Sequence, residues 1–198
     1  VANEYAEEAT LREMLAIEED DTTRTNLLQR ALTSASRSVD LTTGRRFWLD
    51  PVPVARTYRL RGRIACEPDG DVLLVDDLGS TTGLIVETGT PDNWSAVTGY
   101  ETVPDNALLD GRPITGLLRV GGSWGYERGR VRVTGRFGWP AVPDDIAQAT
   151  LLQAARLYKR KDSPEGVTGS AEWGVVRLSR RDPDVWNLLE QYVLPGFG

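Results

Sequence analysis

The spacing of apolar residues changes its period twice along the chain. Between about residues 4 and 43, apolar positions recur at three and four residues, the period of an amphipathic helix. Leu11, Met14 and Leu15 share one face of a short first helix over about residues 7–15. Asp20, Asp21 and Thr22 then form a start signal, with carboxylates where a helix dipole favours them. In the second helix Leu28, Ala31, Leu32, Ala35 and Val39 fall on one side, and Arg30, Thr33, Arg37 and Asp40 on the other. Gly44 supplies the stop, because glycine accepts the left-handed backbone that closes a helix.

From about residue 45 to 139 the period shortens to that of strands. Runs at 54–60, 72–75, 84–87, 117–120 and 130–136 are separated by turn chemistry. Pro68-Asp69-Gly70 is a strong turn, and Gly79, Gly83, Gly89, Gly111 and Gly121-Gly122 punctuate the rest. Val131 and Val133 alternate with Arg130, Arg132 and Thr134, which gives that strand one buried and one wet face. Roughly five or six short strands of this kind suggest a small antiparallel sandwich or barrel.

Helix returns at Val142-Pro143-Asp144-Asp145, a start signal with acids in the first turn. Ile146, Ala147, Leu151, Leu152, Ala154, Ala155, Leu157 and Tyr158 then wrap most of the surface, leaving a polar stripe through Asp145, Gln148, Arg156 and Lys159. A helix so apolar is buried by its own domain or by a neighbouring subunit. Asp162-Ser163-Pro164 ends it. A glycine-rich stretch at 166–174 leads to a short strand at 175–178, and a last helix starts near Asp182-Pro183-Asp184 with Val185, Leu188, Leu189 and Tyr192. The expected fold is therefore α+β: a small helical bundle formed by both chain ends, residues 1–47 and 140–198, with an antiparallel β-sandwich or barrel inserted at 48–139. The last part ends in a tail at 195–198. Few residues remain for the helical core, so the bundle gains from packing on other subunits.

Composition narrows the chemistry. The 198 residues include no histidine, and Cys66 is the only cysteine. Histidine-dependent triads and the usual zinc sites cannot be built, nor can an intrachain disulfide. Cys66 is expected in a strand as a small apolar side chain. The net charge of −6 argues against tight duplex binding, though not against a surface past which DNA moves. No run is apolar enough to span a bilayer, and the acidic N-terminal stretch shows no signal-peptide pattern, so a soluble protein made in a cytoplasm is expected. Lysine occurs only at Lys159 and Lys161, with arginine, alanine, glycine and valine abundant, the bias of a GC-rich genome.

No motif selects a catalytic, metal or cofactor site. Asp69 and Asp71, with Asp76-Asp77 beyond, lack calcium-loop spacing and read as solvated turn acids. Gly121-Gly122-Ser123-Trp124-Gly125 lacks the lysine of a phosphate loop. Two basic clusters stand out, Lys159-Arg160-Lys161 and Arg177 with Arg180-Arg181; acidic protein contacts suit them at least as well as nucleic acid. Trp173, in the glycine-rich stretch, is either an interface anchor or a plug of the domain's own core.

Tyr5-Ala6, Leu11, Leu15, Ala35-Ser36-Arg37-Ser38-Val39-Asp40 and Thr43-Gly44-Arg45-Arg46-Phe47 resemble the opening of head-to-tail connector (adaptor) proteins of tailed bacteriophages. The resemblance resumes at Phe137-Gly138-Trp139-Pro140-Ala141-Val142-Pro143. It continues through Ile146, Ala149, Ala155-Arg156-Leu157, Asp162-Ser163-Pro164, Gly166-Val167, Val176-Arg177, Asp182-Pro183-Asp184-Val185, Leu188-Leu189 and Tyr192. It is nearest to connectors of phages that infect actinobacteria. The resemblance implies a non-enzymatic virion subunit without cofactor or membrane, assembled in the host cytoplasm. It implies a homo-oligomeric ring, usually twelve-fold, in the virion neck between portal protein and the next head-completion or tail protein, with genomic DNA passing through its lumen. Tyr192, Leu194, Pro195 and Phe197 would then dock on the portal, and Leu151, Tyr158, Trp173 and Arg177 would serve subunit interfaces. A different class, a carbohydrate- or cell-wall-binding module presenting Trp94 and Trp124, is the alternative; a carboxylate-dependent hydrolase rests only on the excess of acids.

Overall fold

The structure, a computed structural model, describes residues 3–125, 129–160, 167–168, 176–177 and 182–194. The chain divides into two compact units, Val1–Arg45 with Val142–Gly198, and Arg46–Ala141. The fold is α+β, with helices at both ends of the chain and an antiparallel sheet between them in sequence.

In the helical unit, α1 (Glu8–Met14) buries Leu11, and a short 3-10 turn at Thr22–Arg24 leads into α2 (Thr25–Thr43). Asp21 accepts a hydrogen bond from the Thr23 amide at 3.1 Å, which satisfies a donor of the turn that precedes α2. Arg12 organises this connection: it donates to Glu8 at 2.8 Å, to the Asp21 carbonyl at 3.0 Å and to the Thr25 hydroxyl at 2.7 Å. Gly44 closes α2 with φ of 68°. Both α3 (Asp144–Lys159) and α4 (Pro183–Leu189) follow the expected start signals, and Asp182 caps α4 by accepting from the amides of Asp184 and Val185. Leu28, Ala31, Leu32 and Ala35 of α2 share a core with Leu151, Ala154, Ala155 and Tyr158 of α3, joined by Leu11 and Ile17. Tyr5 reaches back over α2: its hydroxyl donates to Asp40 and its amide to the Ser36 hydroxyl. Two elements of the N-terminal motif set thus meet in space.

The second unit is a sheet of seven strands: β1 (Val54–Arg59), β2 (Ile64–Glu67), β3 (Gly70–Thr90), β4 (Asn93–Ala96), β5 (Glu101–Val103), β6 (Ile114–Val120) and β7 (Arg130–Phe137). Its path runs β1-β7-β3-β6-β5, with β2 and β4 paired to β3 as well, and it does not close into a barrel. The expected separate strands at 72–75 and 84–87 are two ends of the single 21-residue β3. Gly79 and Gly83, read as turn punctuation, lie inside it. Register shifts between Leu74 and Leu78, and again between Leu78 and Ile85, bend β3 so that its first part pairs with β6 and its second with β7. The Pro68-Asp69 turn joins β2 to β3 as a tight hairpin. Along β7 the expected alternation holds, with Val131 and Val133 fully buried. They pack with Tyr58, Leu73, Leu78, Val86, Ile114, Leu117 and Phe137.

Gly138 explains the Phe137-Gly138-Trp139 string. Its φ is 111°, and a Cβ there would sit 1.9 Å from the Trp48 carbonyl oxygen. The neighbouring residues are held by Arg46, which donates to the Phe137 carbonyl at 3.0 Å and pairs with Asp50 at 2.9 Å. Substituting Gly138→Ala should therefore cost at least about 3 kcal/mol, whereas Gly62→Ala, which meets open space, should cost about 1 kcal/mol from its positive φ alone. Urea denaturation of both variants measures the difference.

Candidate interface sites

The end of the helical unit is built by the last described residues. A 3-10 turn at Glu190–Tyr192 follows α4. Arg45 donates to the Tyr192 carbonyl at 2.8 Å, and the Leu194 amide donates to the Thr43 carbonyl at 2.8 Å. Gln191 donates to Asp145 at 2.9 Å, and the Tyr192 hydroxyl contacts the same carboxylate at 3.4 Å. Residues 191–194 are thus fastened to both α2 and α3, while the Leu194 side chain stays 42% exposed. Among the expected docking residues, Tyr192 and Leu194 come together here, and Pro195 and Phe197 lie outside the described residues.

Of the expected subunit-interface residues, Leu151 and Tyr158 are buried in the core of their own unit. Arg177 falls in the short strand Val176–Arg177, paired with Val167–Thr168. Trp173 lies outside the described residues, as do Lys161, Arg180, Arg181 and the Asp162-Ser163-Pro164 stop. Lys159 and Arg160 are exposed. A partner that sequence spacing did not reveal is Arg156, which pairs with Asp182 at 2.9 Å and so ties α3 to the cap of α4. A cleft of about 160 Å³, lined by Ser38, Thr42, Gln153, Asp182 and Trp186, opens beside that pair. It is smaller than the roughly 300 Å³ at which small-molecule sites begin.

In the sheet unit the tryptophans separate. Trp124 is 4% exposed, and its indole N–H donates to the carbonyls of Asp71 and Leu117, so it is a core residue and not a sugar platform. Trp94 is half-buried under the guanidinium of Arg132, 4.6 Å from its ring centre. Cys66 does lie in a strand, but it is exposed and not packed. The hydrogen bond that the thiol donates to the Asp71 carboxylate, and that carboxylate's charge, push it above the ordinary value.

The turn acids read as solvated are partly engaged. Asp76 accepts from Arg56 at 2.8 Å and Arg63 at 3.2 Å, and Tyr58 shares it at 3.2 Å. Asp77 accepts from the Trp139 indole at 3.1 Å. Among the described residues no group of three or more His, Cys, Asp or Glu is arranged to hold a metal ion. Burial alone would raise the Asp76 carboxyl, but the two guanidiniums outweigh it and hold it below the ordinary value. Burial first, and the Asp76 charge second, push the Tyr58 hydroxyl well up, so it remains a donor. Arg132 clasps Glu87 through two bonds of 2.6 and 2.8 Å.

Three arginines differ from these. Arg59 stands directly opposite Arg130 across the β1–β7 pair, and Arg61 follows in the next loop. None has an acidic partner among the described residues.

No family model matches the chain, and no curated protein matches it either. Two solved structures share its fold over nearly the whole length. One is a chain in the neck of an empty gene transfer agent (GTA) particle, computed with C6 symmetry: TM-score 0.57, 19% identity, covering 100% of this chain and 95% of that one. Another is a chain of the virion of a native gene transfer agent particle: TM-score 0.53, 19% identity, covering 96% and 91%. The fold is thus one also found in phage-like particles.

Because the folded pKa of Asp76 lies below its unfolded value near 3.8, its stabilising effect is whole above that value and drains as pH falls through the folded one. Asp76→Asn should remove this part of the acid-side slope and cost about 1 kcal/mol at neutral pH, after allowance for solvent screening. Denaturation midpoints between pH 2 and 7, native against variant, test it.

Proposed function

We propose that the chain is a structural subunit of a phage-like particle's neck: a head-to-tail connector that forms a ring, twelve-fold, between the portal and the next head-completion or tail protein. The observation that carries this reading is the fold likeness to a neck chain over 100% of this chain and 95% of that one. The connector-like strings at both chain ends point the same way, toward connectors of phages that infect actinobacteria. Six-fold symmetry is contained in twelve-fold symmetry, so the symmetry of that neck is compatible with such a ring.

In this reading the chain does no covalent chemistry, takes no cofactor and acts through its surfaces. It joins the virion during assembly in the host cytoplasm. Its ring continues the channel along which genomic DNA passes, and an acidic chain suits a wall that does not hold phosphates. The helical unit serves as the portal-facing part, because residues 191–194 are fastened there and Leu194 is left outward. The sheet unit faces outward or toward the next tail component. No helix among the described residues is long and apolar enough to cross a membrane. The burial of Trp124 removes half of the aromatic pair on which the carbohydrate-binding alternative rested.

Mass measurement of the purified chain, alone and with portal, tests the reading. Closed rings, free or templated by portal, are expected; a chain that stays monomeric under both conditions contradicts it. Leu194→Asp should weaken portal attachment by about tenfold or more while leaving the melting temperature within a few degrees, since the side chain is already exposed. Unchanged attachment would remove Leu194 from the docking surface.

A further inference from the structure

β1 and β5 lie at the two ends of the sheet's path, and their unpaired charges are opposite in sign. At the β1 end, Arg59 and Arg130 are directly opposed, an arrangement of like charges that destabilises a strand pair. Arg61 adds a third cation in the exposed loop that follows. Elsewhere the same sheet sets acids beside its arginines: Glu87 holds Arg132, two residues from Arg130, and Asp76 holds both Arg56 and Arg63. The trio at the β1 end has no acid beside it among the described residues, and an anion from a second molecule would relieve its repulsion.

At the β5 end, Glu101, Asp105 and Asp110 are exposed and have no cationic partner among the described residues. Arg112, also exposed, leaves this end with an excess of acid. Between the aspartates Leu109 is 86% exposed, one of the two most exposed large apolar side chains described. Leucine flanked by acids fits a surface that offers arginines, whose aliphatic stems cover apolar groups while their heads meet carboxylates.

We infer that neighbouring copies pack head to tail through their sheet units, the Arg59–Arg61–Arg130 end of one copy receiving the Glu101, Asp105, Leu109 and Asp110 end of the next. Two different, complementary patches on one chain make a heterologous contact, the kind that closes into rings when the rotation fits. The contact rests on the ring reading above and names the surfaces that would build it. The second copy is favoured over nucleic acid because the complementary acids stand on the same sheet, and because the chain as a whole carries a net charge of −6.

Charge reversal on the full chain tests the contact. One variant carries Arg59→Glu with Arg130→Glu, the other Asp105→Arg with Asp110→Arg, and thermal melting confirms that both fold. Sedimentation at low salt should show self-association of each variant alone weakened by about tenfold or more, and an equimolar mixture restored to within about threefold of the native chain. Restoration in the mixture is the decisive result, since damage to folding cannot produce it. Native-like association of either variant alone, or a mixture that fails to recover, overturns this contact and leaves the ring reading standing. Duplex DNA binding by the native chain that is lost with the arginines, beside unchanged self-association, overturns it in favour of nucleic acid. A native chain that never associates, even with portal, overturns the ring reading and the contact together.

Discussion

The packing of α2 on α3 is the constraint on which the helical unit depends. The two helices come from opposite ends of the chain, so their contact must close a separation of more than a hundred residues. Alanines at 31, 35, 154 and 155 let the backbones approach, while Leu28, Leu32, Leu151 and Tyr158 fill the remaining space. Neither helix could hide its apolar stripe alone. Other described parts of the unit are tied to this pair: Tyr5 on Asp40 and Ser36, Arg156 on the α4 cap, and residues 191–194 on Thr43, Arg45 and Asp145. The outward position of Leu194 is therefore a consequence of the core and not of a free tail.

In the sheet unit the organising economy is that of arginine. Arg46 is stacked on Trp48 and paired with Asp50, and Arg56 lies over Phe137 while sharing Asp76 with Arg63. Planar guanidiniums that use a ring face and a carboxylate at once make a sheet without lysine feasible. Against that background an Arg–Arg register pair is informative, because the fold shows elsewhere how it satisfies such groups.

Local patterns were legible where their cause is local. The buried face of α2, the Gly44 stop, the Asp182 cap, the Pro68-Asp69 turn and the alternation along β7 each follow from a few neighbouring residues. What escaped has non-local causes. Gly79 and Gly83 look like turns, yet they sit within one strand: at Gly79 another backbone comes too close for a side chain, and register shifts bend the strand on either side. The strands β4 and β5 span only four and three residues, too few for an alternation to announce them, and of β2 only the strand position of Cys66 was expected. Trp124 looked available for a ligand, but its N–H is spent on two carbonyls 53 and 7 residues away in sequence. Partner choice for Arg156 and Asp76, and the lack of an acidic one for Arg59 among the described residues, depend on which strands and helices meet.

Under the proposed reading, the fastened residues 191–194 and the charged surfaces of both signs serve assembly. The direct measurement is where the chain sits in a particle. Electron microscopy of virions carrying a labelled copy should show the label as a ring at the joint between portal and tail; label found elsewhere in the particle, or absent from it, would contradict the account.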